Sequence, residues 1–184
     1  PQAATVLKDK IPCLRTKRVI SITNGYDQED FPEQVEPRTD SKFRIVHSGT
    51  MYTGSGLQLR RRSFCRYLGG VERGVDIVTR SPIFLLEAVS RWVEKVPSVA
   101  EDLELVFVGA SSADDRAVVS NSKIYKSTRF TGFLSHSESL QFVRTADLLF
   151  LPMHNLPPGI RCRSIPGKAY EYMASGRPIL AAVP

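Results

Sequence analysis

SIPGKAYEYMASGRPILAAV, residues Ser164–Val183, places a loop, a helix and a strand in immediate succession. Pro166 lies near the first position of the helix and Gly176 lies just past its end, where backbone geometry favours each residue type. The apolar run Pro178–Val183 then predicts a strand. A helix that starts from a loop and leads directly into an apolar strand is typical of α/β proteins.

The start of this helix has the features of an anion-binding site. Its first backbone N–H groups have no partner within the helix, and the helix dipole places partial positive charge at the same end. Lys168 adds a full positive charge in the first turn, beside Pro166 and Gly167. Glu171 follows one turn later on the same face, and its carboxylate accepts hydrogen bonds from paired hydroxyls. The pattern suits a phosphorylated ribose, although the spacing alone fits an ordinary amphipathic helix equally well.

Strands and helices alternate along most of the chain. The predicted strands are Phe43–Ser48, Leu103–Val108, Phe130–Phe133, Asp147–Pro152 and Pro178–Val183. The predicted helices before the last one are Ser81–Val96, Ser112–Ser120 and a helix from Ser135 to about Ala146. Continuous apolar strands indicate burial on both faces. The alternation therefore predicts an α/β fold, a Rossmann-like, doubly wound parallel sheet.

Capping residues mark the beginnings of two of these helices. Ser81 is the predicted N-cap of the first. We expect its apolar face to pack on the core, and this face includes Phe84, Leu85, Ala88, Val89 and Trp92. Ser135 and Glu138 have the spacing of a capping box, in which each side chain accepts a hydrogen bond from the other residue's backbone N–H.

The composition divides the chain into two parts. Residues 1–41 contain a short predicted strand, Arg18–Ile22, and a polar segment, and we expect them to connect two domains. Residues 42–184 contain the alternating elements and form the predicted Rossmann-like domain. Within that domain Gly54–Thr79 is rich in glycine and arginine and lacks amphipathic periodicity. We expect it to be a basic loop insertion that is poorly ordered or loosely packed.

The net charge is +6, and the excess of basic residues lies in the stretch between Gly54 and Arg80. The basic residues of this stretch are Arg60, Arg61, Arg62, Arg66, Arg73 and Arg80. Such a patch can meet nucleic acid, anionic lipid headgroups or phosphorylated substrates, or it can remain a solvated loop.

The remaining composition is that of a globular domain, with 42% hydrophobic and 24% charged residues. No apolar run approaches the roughly 20 residues that a membrane helix needs, and no signal peptide is visible. Cys13, Cys65 and Cys162 are odd in number and widely spaced, which argues against a metal site or a disulfide framework. We therefore expect a cytoplasmic protein, either free or at the inner face of the membrane.

Ligands of open α/β sheets bind beyond the carboxyl ends of the strands. The segments that the predicted strands place there are His47–Thr50, Gly109–Ala110, Phe133–His136, Pro152–His154 and the loop before Pro166. The helix that begins at Pro166 points its positive end into the same crevice. Of the histidines, we expect His47 to be buried with satisfied hydrogen bonds, and His136 and His154 to be solvated.

Several short segments, taken in order, resemble the C-terminal half of the family 4, or group 1, glycosyltransferases. These segments are Ile22–Asp27 (ITNGYD), Val46–Thr50 (VHSGT), Val106–Gly109 (VFVG), Thr131–His136 (TGFLSH), Ala146–Leu149 (ADLL) and Pro166–Leu180 (PGKAYEYMASGRPIL). The last is the most specific. The resemblance implies a retaining, hexosyl-type glycosyltransferase of the GT-B fold, in which two Rossmann-like domains flank the active site. It also implies that this chain is the domain that binds the nucleotide-sugar donor.

The resemblance assigns roles to individual residues. It implies that Glu171 accepts hydrogen bonds from the ribose hydroxyls, and that Lys168 and the backbone of Pro166–Gly167 hold the diphosphate. The turn Gly49–Thr50 and the basic residue Arg80 would lie close to the same phosphates. Fixed positive charge at that point stabilises the leaving nucleoside diphosphate as the glycosidic bond breaks. No metal and no cofactor beyond the donor is implied, and no catalytic residue is assigned.

The chain departs from the family pattern at three points. Arg163 stands where many members have a second glutamate that contacts the donor sugar, and Gly54–Thr79 lengthens a loop that is usually short. The N-terminal acceptor-binding domain is missing, and the sequence stops after the strand Pro178–Val183. We therefore expect a fragment that binds nucleotide but transfers no sugar by itself.

Two other functions fit parts of the sequence. The same Pro166–Glu171 site would serve a non-catalytic module that binds a nucleotide sugar or a partner. A nucleic-acid-binding domain would use Arg60–Arg66, but this region offers only Phe64 and Tyr67 for stacking and no recognisable binding motif. For the glycosyltransferase, the expected partners are a nucleotide sugar, an acceptor (a glycan, a lipid-linked glycan or a small molecule) and the acceptor domain.

Overall fold

The computed structural model describes residues 2–32, 35, 37–61, 75–160, 162 and 165–183. At its centre lies a five-stranded sheet in which all pairings are parallel. The strands are β1 (Phe43–Ser48), β2 (Leu103–Val108), β3 (Thr128–Gly132), β4 (Leu148–Pro152) and β5 (Ile179–Ala182). Their order across the sheet is β3-β2-β1-β4-β5. The predicted Rossmann-like parallel sheet is therefore confirmed, with every predicted strand of the domain within two residues of its observed bounds.

Helices cover both faces of this sheet. The α-helices are α1 (Gln2–Lys10), α2 (Thr53–Arg61), α3 (Ile83–Lys95), α4 (Val99–Asp102), α5 (Ala113–Ser120), α6 (His136–Arg144) and α7 (Gly167–Ala174). Short 3-10 turns span Pro12–Leu14, Gln28–Asp30, Ile77–Arg80 and Tyr125–Ser127. Apolar side chains of α3 and α5 form one core with the sheet, and those of α6 and α7 form a second core. No described helix is long and apolar enough to cross a membrane.

The strands are apolar because both of their faces are covered. Strand β2, which reads LELVFV, buries Leu105 and Phe107 in the core with α3 and α5, and Val106 and Val108 in the core with α6 and α7. Successive side chains of a strand point to opposite faces, so alternate residues fill alternate cores.

The capping box at the start of α6 is confirmed. The Ser135 hydroxyl accepts the Glu138 backbone N–H at 3.3 Å, and the Glu138 carboxylate accepts the Ser135 N–H at 2.9 Å. The start of α3 differs from the prediction, since the helix begins at Ile83 with Pro82 in the N-cap position. Ser81 still caps in part, because its hydroxyl accepts the Ile83 N–H at 3.3 Å.

The predicted core packing of Phe84 and Trp92 is wrong. Phe84 is 44% exposed and Trp92 is 46% exposed, whereas Leu86 and Val89 of the same helix are buried. An α-helix turns by about 100° per residue, so Phe84 lies almost opposite Leu86. In the last turn Val93 packs against the core, which leaves Trp92 at the margin of the buried stripe.

The predicted strand Arg18–Ile22 is also wrong. This segment has no regular structure, and Ile20 and Ile22 are 64% and 86% exposed. A strand is stable only when its backbone groups pair with a neighbour, and no described strand pairs with this segment. The division of the chain into residues 1–41 and 42–184 stays a prediction.

The predicted loop at Gly54–Thr79 is ordered at both of its ends. Residues 54–61 belong to α2, and the 3-10 turn Ile77–Arg80 packs against that helix. A Cβ at Gly56 would lie 2.8 Å from the Val78 backbone nitrogen, so the glycine allows a close approach that stabilises α2 despite its poor helix propensity. The prediction of a loosely packed loop is therefore wrong for these ends, and residues 62–74 lie outside the described part of the chain.

We predict that Tyr172→Phe lowers the free energy of unfolding by roughly 1–3 kcal/mol, because it leaves the partly buried Ser48 N–H without its hydrogen-bond partner. Tyr172 is fully buried, and its hydroxyl accepts the Ser48 N–H at 2.7 Å. Denaturant unfolding measures the loss. Tyr125→Phe, at a residue that is 51% exposed, is the matched control and should change stability by less than about 0.5 kcal/mol. Equal effects of the two substitutions would contradict the prediction.

Candidate functional site

The predicted site residues lie at the carboxyl ends of the central strands. The sheet order reverses at β1, which pairs with β2 on one side and β4 on the other, and ligands of such sheets bind at this switch point. Gly49 follows β1 with φ +103°, and Gly109 follows β2 with φ +117°. The two turns touch, since a Cβ at Gly109 would lie 3.5 Å from the Gly49 Cα. They form a floor of bare backbone beneath the start of α7.

Lys168 extends from the first turn of α7 across this floor. A Cβ at Gly49 would lie only 2.7 Å from the Lys168 ammonium nitrogen, so the glycine makes room for the charge. Burial, together with the nearby charge of Arg80, lowers the pKa of Lys168 to about 8, and Glu171 opposes both effects. Sequence alone predicted Lys168 near Gly49, and the structure brings the two into contact.

His47, the next-to-last residue of β1, is the direct partner of Lys168. Its Nε2 lies 3.2 Å from the Lys168 Nζ, and its Nδ1 lies 2.9 Å from the Phe150 carbonyl oxygen of β4. The ring is only 2% exposed, and burial, followed by the charge of Lys168, lowers the pKa of His47 to about 3. The prediction that His47 is buried with satisfied hydrogen bonds is confirmed.

Glu171 lies one turn after Lys168 and keeps 26% of its side chain exposed. Its carboxylate lies 4.0 Å from the Nε2 of His136, the first residue of α6. His136 also lies 3.1 Å from the Asp30 carboxylate, which belongs to the 3-10 turn before β1. The His136 side chain is 59% exposed, so its predicted solvation is confirmed. The contact with Asp30 had no signal in the sequence, because more than a hundred residues separate the two.

Arg80 ends the 3-10 turn Ile77–Arg80 and lies close enough to Lys168 and His47 to lower the pKa of both. Its guanidinium lies 4.4 Å from the centre of the Tyr52 ring, a cation–π contact that holds the side chain beside the crevice. Tyr52 was not predicted as a site residue. Its position two residues after the Gly49–Thr50 turn is the signal that could have identified it.

The backbone at the start of α7 is open. Pro166 takes the N-cap position with extended backbone, and Gly167 is the first helical residue. A Cβ at Gly167 would meet no atom within 4 Å, so a ligand can approach the first N–H groups. Thr50, the residue after Gly49, is exposed. Arg163 lies outside the described residues.

Two other features bear on the alternatives. An apolar cavity of about 430 Å³ lies between α3 and β5, and none of the residues predicted to bind the nucleotide lines it. Arg60 pairs with Asp76 at 2.5 Å, which offsets part of the basic stretch, while Arg62, Arg66 and Arg73 lie outside the described residues. Among the described side chains, no group of three or more His, Cys, Asp and Glu residues lies close enough to hold a metal ion.

The comparisons with known proteins agree with this geometry. The family model described as glycosyl transferases group 1 matches residues 74–183, more than half of the chain, including β2 to β5 and α7. The chain therefore belongs to the group 1 glycosyltransferases, and the matched region is consistent with the donor-binding domain of a GT-B fold. The comparison with curated proteins gives no match.

We predict that Gly49→Ala is more destabilising than Gly132→Ala. Both glycines have positive φ, so an alanine at either position costs about 1–2 kcal/mol of backbone strain. Only at Gly49 does the new methyl group also collide with the Lys168 ammonium, whereas the space around Gly132 is open. Denaturant unfolding gives the stability difference, and the rate of amine acetylation at Lys168 reports its displacement. Similar stability and similar Lys168 labelling in the two variants would contradict the prediction.

Proposed function

We propose that the crevice binds the nucleoside diphosphate part of a nucleotide sugar, and that the chain is the donor-binding part of a retaining hexosyltransferase. The observation that carries the proposal is the position of Lys168, held over the bare Gly49 turn at the open start of α7. An ammonium group, a helix N-terminus and an accessible backbone floor together match a diphosphate.

The same charges suit the chemistry of sugar transfer. As the bond between the sugar and the diphosphate breaks, the departing phosphate oxygen keeps the electron pair and gains negative charge. Lys168, the N-terminal dipole of α7 and Arg80 all present positive charge to that oxygen, and fixed charges stabilise such a transition state without reorganisation. The chain's own contribution is thus to bind the donor and to stabilise its leaving group.

Glu171 supports the nucleoside side of the proposal. It lies three residues after Lys168 on the same helix, so its carboxylate faces the crevice one turn beyond the phosphate position. The Glu171 carboxylate is partly exposed, and its distance of 4.0 Å from His136 is too long for a hydrogen bond. It therefore retains acceptor capacity for two ribose hydroxyls. A second Rossmann-like domain would bind the acceptor sugar or lipid and would supply any catalytic base. We therefore expect residues 1–184 alone to bind nucleotide without transferring sugar.

We predict that Lys168→Ala and Glu171→Gln each weaken nucleoside diphosphate binding by about tenfold to a hundredfold, the worth of a charged hydrogen bond. The Glu171 substitution should affect a nucleoside monophosphate and diphosphate equally, whereas the Lys168 substitution should affect the diphosphate more. Calorimetric titration of UDP, GDP, TDP and ADP measures both effects and identifies the base.

Lys123→Ala and Glu87→Gln are the matched controls, since both side chains lie on the surface in exposed ion pairs. They should bind as the parent chain does. If the Lys168 and Glu171 variants fold and bind as tightly as the controls, the site assignment is wrong. If the parent chain binds none of the four nucleotides, the proposed function is wrong.

We predict that diphosphate affinity falls as the pH rises above about 8, by up to tenfold per pH unit. The pKa of Lys168 in the free protein is about 8, so its ammonium loses the proton in this range, while the phosphate charge stays constant because its last pKa is about 6. The affinity is highest between about pH 6 and pH 7, where the phosphate is ionised and nearly all Lys168 side chains are charged. Titrations at pH 7 to 9.5 test this, and an equally steep decline in Lys168→Ala would show that another group is responsible.

A further inference from the structure

His47 has both ring nitrogens engaged in the interior of the sheet. The Phe150 carbonyl can only accept a hydrogen bond, so the Nδ1 that lies 2.9 Å from it carries the proton. The ring is neutral because it is 2% exposed and lies against the Lys168 ammonium. The lone pair of Nε2 is therefore free to accept, and Lys168 donates to it across 3.2 Å.

We propose that His47 is a positioning residue, which holds the Lys168 ammonium over the Gly49 turn so that the phosphates of the donor meet a charge already in place. The proposal rests on the proposed function and names the group that orients its main cation. It links three elements, since β4 fixes the ring through Phe150, β1 carries the ring, and α7 carries the lysine.

A neutral acceptor suits this role better than a carboxylate. An aspartate or glutamate at position 47 would also orient Lys168, but it would cancel the positive charge that the crevice offers to an anion. A neutral imidazole takes one of the three ammonium N–H donors and leaves the charge and two donors for the phosphates. The free-energy cost of burying the Lys168 ammonium is then offset by its hydrogen bond to His47 and by its contacts with the bound phosphates.

Two other charged groups near the pair act on the Lys168 ammonium with opposite sign. Arg80, at the end of its 3-10 turn, repels the ammonium, and Glu171, one turn along α7, attracts it. Tyr172, on the inner face of α7, is neutral because burial raises its pKa, and its hydroxyl is occupied by the Ser48 N–H. Without His47, the attraction of Glu171 would draw the ammonium away from the Gly49 floor and toward the ribose position.

The test compares three substitutions, with inorganic pyrophosphate as the binding probe. His47→Phe keeps the ring volume but removes both hydrogen bonds, and His47→Asn can reach Phe150 but not Lys168. His47→Gln retains an amide oxygen near the position of Nε2. We expect pyrophosphate affinity to fall about tenfold in the Phe and Asn variants and to stay within about threefold of the parent in the Gln variant.

A second readout needs no ligand. Acetylation of the Lys168 amine, followed by mass spectrometry across pH, gives its titration midpoint. That midpoint should move to higher pH in His47→Phe and His47→Asn, since the released ammonium leaves its buried position and approaches the Glu171 carboxylate, and should remain near the parent value in His47→Gln. Ile124→Val, a substitution in the core between the sheet and helices α3 and α5, controls for a general loss of stability and should change neither readout.

A double substitution separates positioning from folding. In a Lys168→Ala background, His47→Phe should cause no further loss of pyrophosphate affinity, because the residue through which it acts is gone. The proposal is overturned if folded His47→Phe or His47→Asn binds and titrates as the parent does, or if the losses in the double variant add in full. If His47→Phe does not fold, the Asn and Gln variants decide.

The two proposals fail in different ways. If the parent chain binds neither nucleotide nor pyrophosphate, the proposed function fails, while the shift of the Lys168 titration midpoint still decides whether His47 holds the lysine. If the parent binds and depends on Lys168 but not on His47, only the positioning role fails.

Discussion

The contact between α7 and the carboxyl end of β1 is the constraint on which the rest of the site depends. Tyr172 is fully buried beneath α7 and joins its hydroxyl to the Ser48 N–H of β1. One turn earlier on α7, Lys168 reaches His47 of the same strand. A single helix face thus supplies both the anchor and the charge. This anchor places the positive end of α7 over the switch point of the sheet.

Glycine makes this close approach possible. The turns after β1 and β2 have positive φ and lie against one another at Gly49 and Gly109, so side chains at either position would be strained. The same lack of a Cβ at Gly49 leaves the space that the Lys168 ammonium occupies. The interaction that buries the lysine also lowers its pKa, because burial disfavours the charged form. Under the proposed function, a bound anion would restore that charge and would couple binding to pH.

The sequence predicted most of the sheet because its signals are local. A strand such as Leu103–Val108 is apolar throughout and a helix such as His136–Arg144 begins with a capping box, and both features are set by neighbouring residues. The failures share another cause. Arg18–Ile22 has the composition of a strand but pairs with none of the described strands, and α2 packs closely on a distant segment where Gly56 meets Val78, more than twenty residues away. Neither a missing partner nor a distant contact can be read from a short window.

For the candidate site, the sequence by itself determined the chemistry on α7, because Pro166, Lys168 and Glu171 lie within two turns of one helix and their spacing defines their common face. Only the tertiary structure decided which groups surround them. His47 and Lys168 are separated by more than a hundred residues, as are Asp30 and His136, and each pair meets only when the chain has folded. Burial, which gives His47 a neutral ring and Lys168 a lowered pKa, likewise exists only in the folded protein, since water surrounds both groups in the unfolded chain.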